Sequence, residues 1–278
     1  MKVLIDGKKI ANALLDDLKT KSSPLMRLDV ILIGNDAPSQ LYVKKKKQTC
    51  MRLGIKTCIH KMGKFCGEMN VIRLIQRLNE DPEVNGILVQ LPLPPKWDIL
   101  NVLSQIDPTK DVDGLTPINL GKLTQGSDTG FIPCTPLGCL KLIQSIPDFS
   151  IQGKHAVVVG SSFLVGKPMA TLLTHANATV TLCHKYTENL EHHVRQADLL
   201  VTAVGKPNLI PGTWVKEDSV VLDVGISRTE LGLVGDVEFD HAVEKVRAIT
   251  PVPGGVGPMT VACLMENTIR AFHEQMRI

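Results

Sequence analysis

The chain of 278 residues has no apolar stretch approaching the roughly 20 residues that cross a bilayer. Its first residues reach Asp6 without an apolar core, which argues against a secretory signal. A marked excess of charge of one sign is also missing. The formal net charge is only +3, and the densest basic run, Lys44 to Lys47, is too short for a nucleic-acid-binding tail. Neither a nucleic acid nor a membrane is therefore expected as a partner. The chain lacks a paired CxxC framework: its seven cysteines are odd in number and scattered, which points to reduced thiols and a cytoplasmic setting. Cys50, Cys58 and Cys66 recur at a regular spacing, but no His pattern accompanies them and no metal site is expected.

What is present is the composition expected of an ordinary soluble globular protein, with 44% hydrophobic and 21% charged residues. Strand-like and helix-like segments alternate. Leu28 to Gly34 is an apolar run, Leu41 to Leu53 has helical spacing, and Ile55 to His60 is β-branched. Met69 to Leu78 is amphipathic and Gly86 to Leu91 is apolar again. This series favours a parallel sheet covered by helices. After a Pro-rich interval a second series opens with His155 to Gly160, Val165 to His175 and Thr179 to Cys183. Asp198 to Val204 and Ser219 to Val224 add two further strands, and Thr260 to Met276 a last helix. Two α/β domains are expected: residues 1–118 with the returning 264–278, and residues 119–263.

The second series carries a nucleotide signal. Ala156 to Val159 runs into Gly160-Ser161-Ser162, then Gly166-Lys167-Pro168 and a helix. Strand, tight glycine turn and helix are the context of a dinucleotide fingerprint, with pyrophosphate at the helix N-terminus. The spacing is G-x-S-x-x-x-G, with Ser162 where a second glycine would lie. The next strand ends in His184-Lys185, without the carboxylate that binds a ribose hydroxyl in NAD sites, so a cation faces the 2′ position and NADP is favoured. A solvated surface lysine would read the same way. Gly205, and Gly225 with Ile226, end later strands and would line the same crevice.

In the first series Tyr42 and Lys46 stand i, i+4 on one helix and share a face, in a chain with only two tyrosines. They offer a stacking surface beside an ammonium; an ordinary charged helix face is the plainer alternative. Gln90 ends an apolar strand where open α/β sheets hold ligands, and Lys110 to Gly114 sets two carboxylates beside a glycine. A carboxylate near Lys46 would raise its pKa, so a lysine working as a base near neutrality needs desolvation or a second cation. Finally, Pro251 to Thr260 holds three glycines and three prolines, which excludes helix and central strand on the usual rules and suggests a stiff ligand-lining loop.

Together these strings resemble the bifunctional methylenetetrahydrofolate dehydrogenase/cyclohydrolase family over essentially the whole chain. They are Ser39-x-x-Tyr42-Val43-x-x-Lys46, Val89 to Pro94, Lys110 to Gly114, Pro133-Cys134-Thr135-Pro136, and Pro251 to Thr260. The resemblance implies an N-terminal catalytic domain and a Rossmann-like dinucleotide domain with the active-site cleft between them. It implies two reactions on tetrahydrofolate derivatives, oxidation of the methylene form and hydrolysis of the methenyl product, in a homodimer. Lys46 would be the general acid/base, Gln90 its hydrogen-bonding partner, Asp113 the pterin ligand and Tyr42 the stacking ring. Ser39 and the Pro251, Gly254 and Gly255 backbone would face the folate. The chain departs from the family in having Ser161 where an Arg is common and Lys185 where a Ser is common. Lys185 would restore the charge for a 2′-phosphate, while the two changes leave NAD open as an alternative to NADP.

Overall fold

The computed structural model describes residues 3–230 and 232–276. From the N-terminus its elements are β1 (Val3–Leu4), α1 (Gly7–Lys19), β2 (Arg27–Ile33), α2 (Ala37–Leu53), β3 (Lys56–Met62), α3 (Glu68–Glu80) and β4 (Gly86–Gln90). Helices α4 (Ile99–Ser104), α5 (Pro117–Thr124) and α6 (Cys134–Gln144) follow. The second series is β5 (His155–Val159), α7 (Gly166–His175), β6 (Thr179–Cys183), α8 (Leu190–Gln196) and β7 (Leu199–Thr202). After a 3-10 turn come β8 (Val220–Asp223), the hairpin β9 (Ser227–Thr229) and β10 (Gly232–Val234), α9 (Phe239–Val243), β11 (Ala248–Ile249) and α10 (Val256–Gln275). Among the described residues no helix is long and apolar enough to cross a membrane.

The chain divides into two compact units, Ala13–Cys134 with Val261–Ile278, and Met1–Asn12 with Thr135–Thr260. These bounds differ from the 118/119 and 263/264 divisions expected from sequence. At the N-terminus the reason is β1, too short to show a period, whose Val3 and Leu4 pair in parallel with Ala248 and Ile249.

The 13–134 unit is built on a three-stranded sheet in the order β3-β2-β4, with both pairings parallel. Strand β2 is buried from Leu28 to Ile33. Covering both faces of a parallel strand buries such a run, here interrupted only by Asp29, and each buried Leu, Ile or Val contributes about 1.5–3 kcal/mol. The chain leaves β2 for β3 on one side and later returns to β4 on the other. That reversal puts α2 and the end of β4 at the same carboxyl edge, where such sheets take ligands.

The 135–260 unit is built on a six-stranded sheet ordered β1-β11-β8-β7-β5-β6, parallel throughout. Its central strands are apolar and buried, and Val157, Val158, Leu199, Leu200, Val220 and Val221 are inaccessible to solvent. The order reverses between β5 and β7, which marks the ligand crevice.

One expectation is corrected. The Pro251 to Thr260 run is not all loop: α10 starts at Val256 and takes in Gly257 and Pro258. Proline is tolerated in a first turn because the N–H groups there have no partner within the helix.

Candidate active site

In the 13–134 unit, α2 sets the geometry. Asp36 caps the helix, its carboxylate accepting the Ser39 N–H at 2.9 Å and the Ser39 hydroxyl at 2.7 Å. Ser39 is thus buried and tied to the cap, with its hydroxyl also 3.4 Å from the Leu91 carbonyl. One turn on, Tyr42 is half-buried, and burial pushes its phenol pKa up. A further turn brings Lys46, only 8% exposed, whose Nζ donates to Gln90 Oε1 at 2.9 Å. Gln90 is oriented in turn by its own Nε2, which donates to the Leu91 carbonyl at 2.7 Å and turns Oε1 toward the lysine.

Asp113 completes the group. The Lys110 to Gly114 turn is pinned by Asp111, buried and accepting from the Leu115 and Thr116 N–H groups and from Asn119 Nδ2 at 2.8–3.2 Å. Gly114 has φ +71°, and a Cβ there would meet the Phe131 carbonyl, Ile132 and Pro133 at 2.7 Å. Behind it Asn267 of α10 donates to the Val112 and Ile132 carbonyls, at 2.9 and 3.1 Å. The Cys134 thiol lies against Asp113 and donates to the Val112 carbonyl at 3.3 Å.

The electrostatics follow from burial. Desolvation holds the Lys46 pKa below its ordinary value, opposed by the charge of Asp113. Desolvation also raises the Asp113 pKa, opposed by Lys46 and aided by Asp111. For both partners burial outweighs mutual attraction, so the lysine is shifted toward its neutral form, the direction a base near neutral pH requires. Lys44, Lys45 and Lys47 are exposed and do not contribute to this shift. Of the two devices open to such a lysine, the protein uses desolvation.

In the 135–260 unit the site is made of backbone. Gly160 has φ +112°, and a Cβ there would overlap the Ala203 carbonyl; one at Gly166 would overlap the Gly160 carbonyl. Ser162 Oγ accepts the Val165 N–H at 3.2 Å and the Ser162 carbonyl accepts the Lys167 N–H at 3.0 Å, so the turn's own groups close the start of α7, which has no side-chain cap. Because Val159 pairs with Cys183, Ser161 and Lys185 lie at equivalent places beyond the ends of neighbouring strands. Lys185 is exposed, its ammonium 4.7 Å above the Tyr186 ring. Gly205 has φ +74° at the end of β7, and Gly225 and the 40% exposed Ile226 follow β8. Pro251, Gly254 and Gly255 form one turn: the Gly255 N–H donates to the Pro251 carbonyl at 2.8 Å, and Gly254 has φ +113°.

Asp29, Cys58 and His60 bring ligand atoms within 4.8 Å of one another. Both Asp29 oxygens, however, are taken by Arg27 at 2.8 and 3.0 Å, and His60 Nε2 lies 2.8 Å from Oδ2. The cluster is an ion-pair network that neutralises a fully buried carboxylate. Sequence reasoning gave no role to Asp36, Asp111, Cys134 or Asn267. Only Asp36 left a readable signal, an Asp ahead of a Pro-containing helix start.

Residues 133–276 match the family model of the tetrahydrofolate dehydrogenase/cyclohydrolase NAD(P)-binding domain, and residues 5–113 that of its catalytic domain. The bifunctional protein FolD of Pelagibacter ubique is 46% identical, over 99% of this chain and 100% of the relative. The crystal structure of the bifunctional FolD methylenetetrahydrofolate dehydrogenase/cyclohydrolase from Campylobacter jejuni superposes with a TM-score of 0.96 at 44% identity, covering both chains fully. The Trypanosoma brucei FolD, complexed with NADP cofactor and inhibitor, gives a TM-score of 0.94 at 36% identity, over 100% of this chain and 99% of the other. With both domain models matched in order along one chain, the protein belongs to the tetrahydrofolate dehydrogenase/cyclohydrolase family.

Proposed function

We propose that the chain oxidises methylenetetrahydrofolate to the methenyl cation with NADP and hydrolyses that cation to 10-formyltetrahydrofolate. The observation that carries this reading is the desolvated Lys46 held by Gln90 beside Asp113. Water adds to the methenyl carbon while neutral Lys46 takes one of its protons, giving a carbinolamine. The bond from that carbon to N5 then breaks, its electron pair going to N5. The lysine ammonium returns a proton to N5 as the carbinol O–H is lost to form the formyl group. The sum consumes one water and releases one proton. Asp113 would hold the pterin and Tyr42 would stack on it, with Ser39 and the Pro251, Gly254 and Gly255 turn also facing folate.

The cradle of Gly160 and Gly166 at the start of α7, where a Cβ would collide with backbone, fits a pyrophosphate. Gly160, Ser161, Ser162 and Gly166 would hold it, with Gly205, Gly225 and Ile226 along the crevice. When bound, the nicotinamide accepts the hydride of the methylene carbon. Lys185 would meet the 2′-phosphate in place of an Arg. The relative crystallised with NADP supports that cofactor. Seven cysteines outside any disulfide support a cytoplasmic setting, and the homodimer expected of the family, acting without nucleic acid or membrane, completes the reading.

The test is absorbance-followed turnover of methylenetetrahydrofolate with NADP and with NAD, with acid quenching to reveal the methenyl product. Faster reduction of NADP, falling about tenfold in Lys185→Ala with NAD turnover unchanged, is expected for loss of one phosphate contact. Turnover with NAD alone would overturn the cofactor assignment. Turnover with neither would overturn the dehydrogenase.

A further inference from the structure

Two carboxylates in the 135–260 unit lie outside the site described above. Asp236, fully buried, follows β10. Its Oδ2 accepts the N–H groups of Val204 at 2.6 Å and Gly205 at 3.2 Å, and its Oδ1 accepts that of Lys206 at 2.8 Å. Three successive backbone donors of one loop thus converge on one carboxylate, an arrangement stronger than neutral hydrogen bonding provides. Asp223, at the end of β8 and 4% exposed, anchors Asp236 itself. It accepts the Asp236 N–H at 3.0 Å and the Val237 N–H at 2.8 Å, together with the Gly225 N–H and the Thr202 hydroxyl, each at 3.1 Å.

The sequence makes room for both acids. A Cβ at Gly225 would overlap the Asp236 carboxylate, and one at Gly235 would overlap that of Asp223. In a trans peptide N–H and C=O point in opposite directions. Turning the Val204 N–H onto Asp236 therefore turns the Ala203 carbonyl the other way, onto Gly160, where any Cβ would strike it. The carboxylate sets the orientation of the loop at the point where β5 and β7 diverge.

We propose that Asp236 is a positioning residue for the dehydrogenase: from behind the Val204 to Lys206 loop, with Asp223 as its anchor, it fixes the backbone that lines the nucleotide crevice. The proposal rests on the reading of that crevice as the NADP site. Asp236 is buried and acts through the loop.

Two measurements test it. The amides of Val204, Gly205 and Lys206, all in exposed residues, are expected to exchange hydrogen slowly in the unmodified protein and fast in Asp236→Asn. Fast exchange in the unmodified protein would overturn the clasp whatever the variant does. Asp236→Asn keeps the shape of the side chain but turns an NH2 group on the donors. The dehydrogenase kcat/KM for NADP is expected to fall about 10- to 100-fold, mainly through KM, as a small misplacement of a binding loop produces. Hydrolysis of supplied methenyltetrahydrofolate, which depends on Lys46 and Gln90, stays unchanged. An equal fall of both activities would show a merely structural role, and no fall in either would show no role; each overturns the proposal. Absence of both activities in the unmodified chain would instead refute the proposed function, with amide exchange still deciding the clasp.

Discussion

The two units hold their sites by opposite means. In the 13–134 unit the working groups are side chains: Lys46, Gln90 and Asp113 meet because a capped helix, a strand end and a pinned turn each deliver one of them. In the 135–260 unit the working group is the backbone, and side chains matter mostly by their absence at Gly160, Gly166 and Gly225. The first arrangement tunes protonation by withdrawing water. The second shapes a cradle by close approach. Hydrolysis needs a base and hydride transfer needs position, so on the proposed reading each chemistry has the kind of site it requires.

The comparison breaks first at Lys46. If Lys46 is the base proposed here, replacing it by Met leaves no group to take the proton of water, and cyclohydrolase turnover is expected to fall roughly 10²- to 10⁴-fold while NADP reduction persists. Loss of methenyl absorbance reads the first and NADPH absorbance the second. The next effect lies in the other unit. Gly166→Ala forces a methyl group onto the Gly160 carbonyl, and relieving such an overlap costs about 1–3 kcal/mol. The turn then opens, so nucleotide reduction falls sharply while hydrolysis of supplied methenyltetrahydrofolate is unchanged.

Strand and helix alternation, both glycine turns and the lysine helix were legible in the sequence because each depends on local pattern. Tyr42, Lys46 and Gln90 could be placed on the right elements by spacing alone. The sign of the Lys46 shift could not, since the sequence left desolvation, a second cation and an opposing carboxylate all open and only burial revealed desolvation. Asn267, Asp223 and Asp236 were invisible because their partners are backbone groups, in most cases distant along the chain, and Asp111 was legible only as one of two carboxylates beside a glycine. β1 was missed for the same reason: two residues carry no period, and the strand exists only because β11 offers it an edge. Proline inside the first turn of α10 hid a helix start behind residues that resemble a loop.

Smaller effects sharpen the contrast further. Desolvation pushes the Asp223 pKa from 3.8 up to about 6, against four hydrogen bonds that favour its charge. Between those values the folded chain binds more protons than the unfolded chain, so stability falls as pH rises through about 6. Asp223→Asn lacks this dependence and should gain on the unmodified protein by up to about 3 kcal/mol between the two ends of that window, as read by urea titration at several pH values. The smallest effect is expected at the start of α2. Asp36→Ala removes the cap that also holds Ser39, and a small loss of stability, read by urea titration, is expected.

The most direct measurement mixes two variants that each keep one site. Lys46→Met alone should stop at methenyltetrahydrofolate, and Gly166→Ala alone should leave methylenetetrahydrofolate unoxidised. Combined with NADP, they should yield 10-formyltetrahydrofolate, because the methenyl product released by the first is hydrolysed by the second. A mixture as inactive as either variant alone would contradict the assignment of the two chemistries to two separable sets of residues.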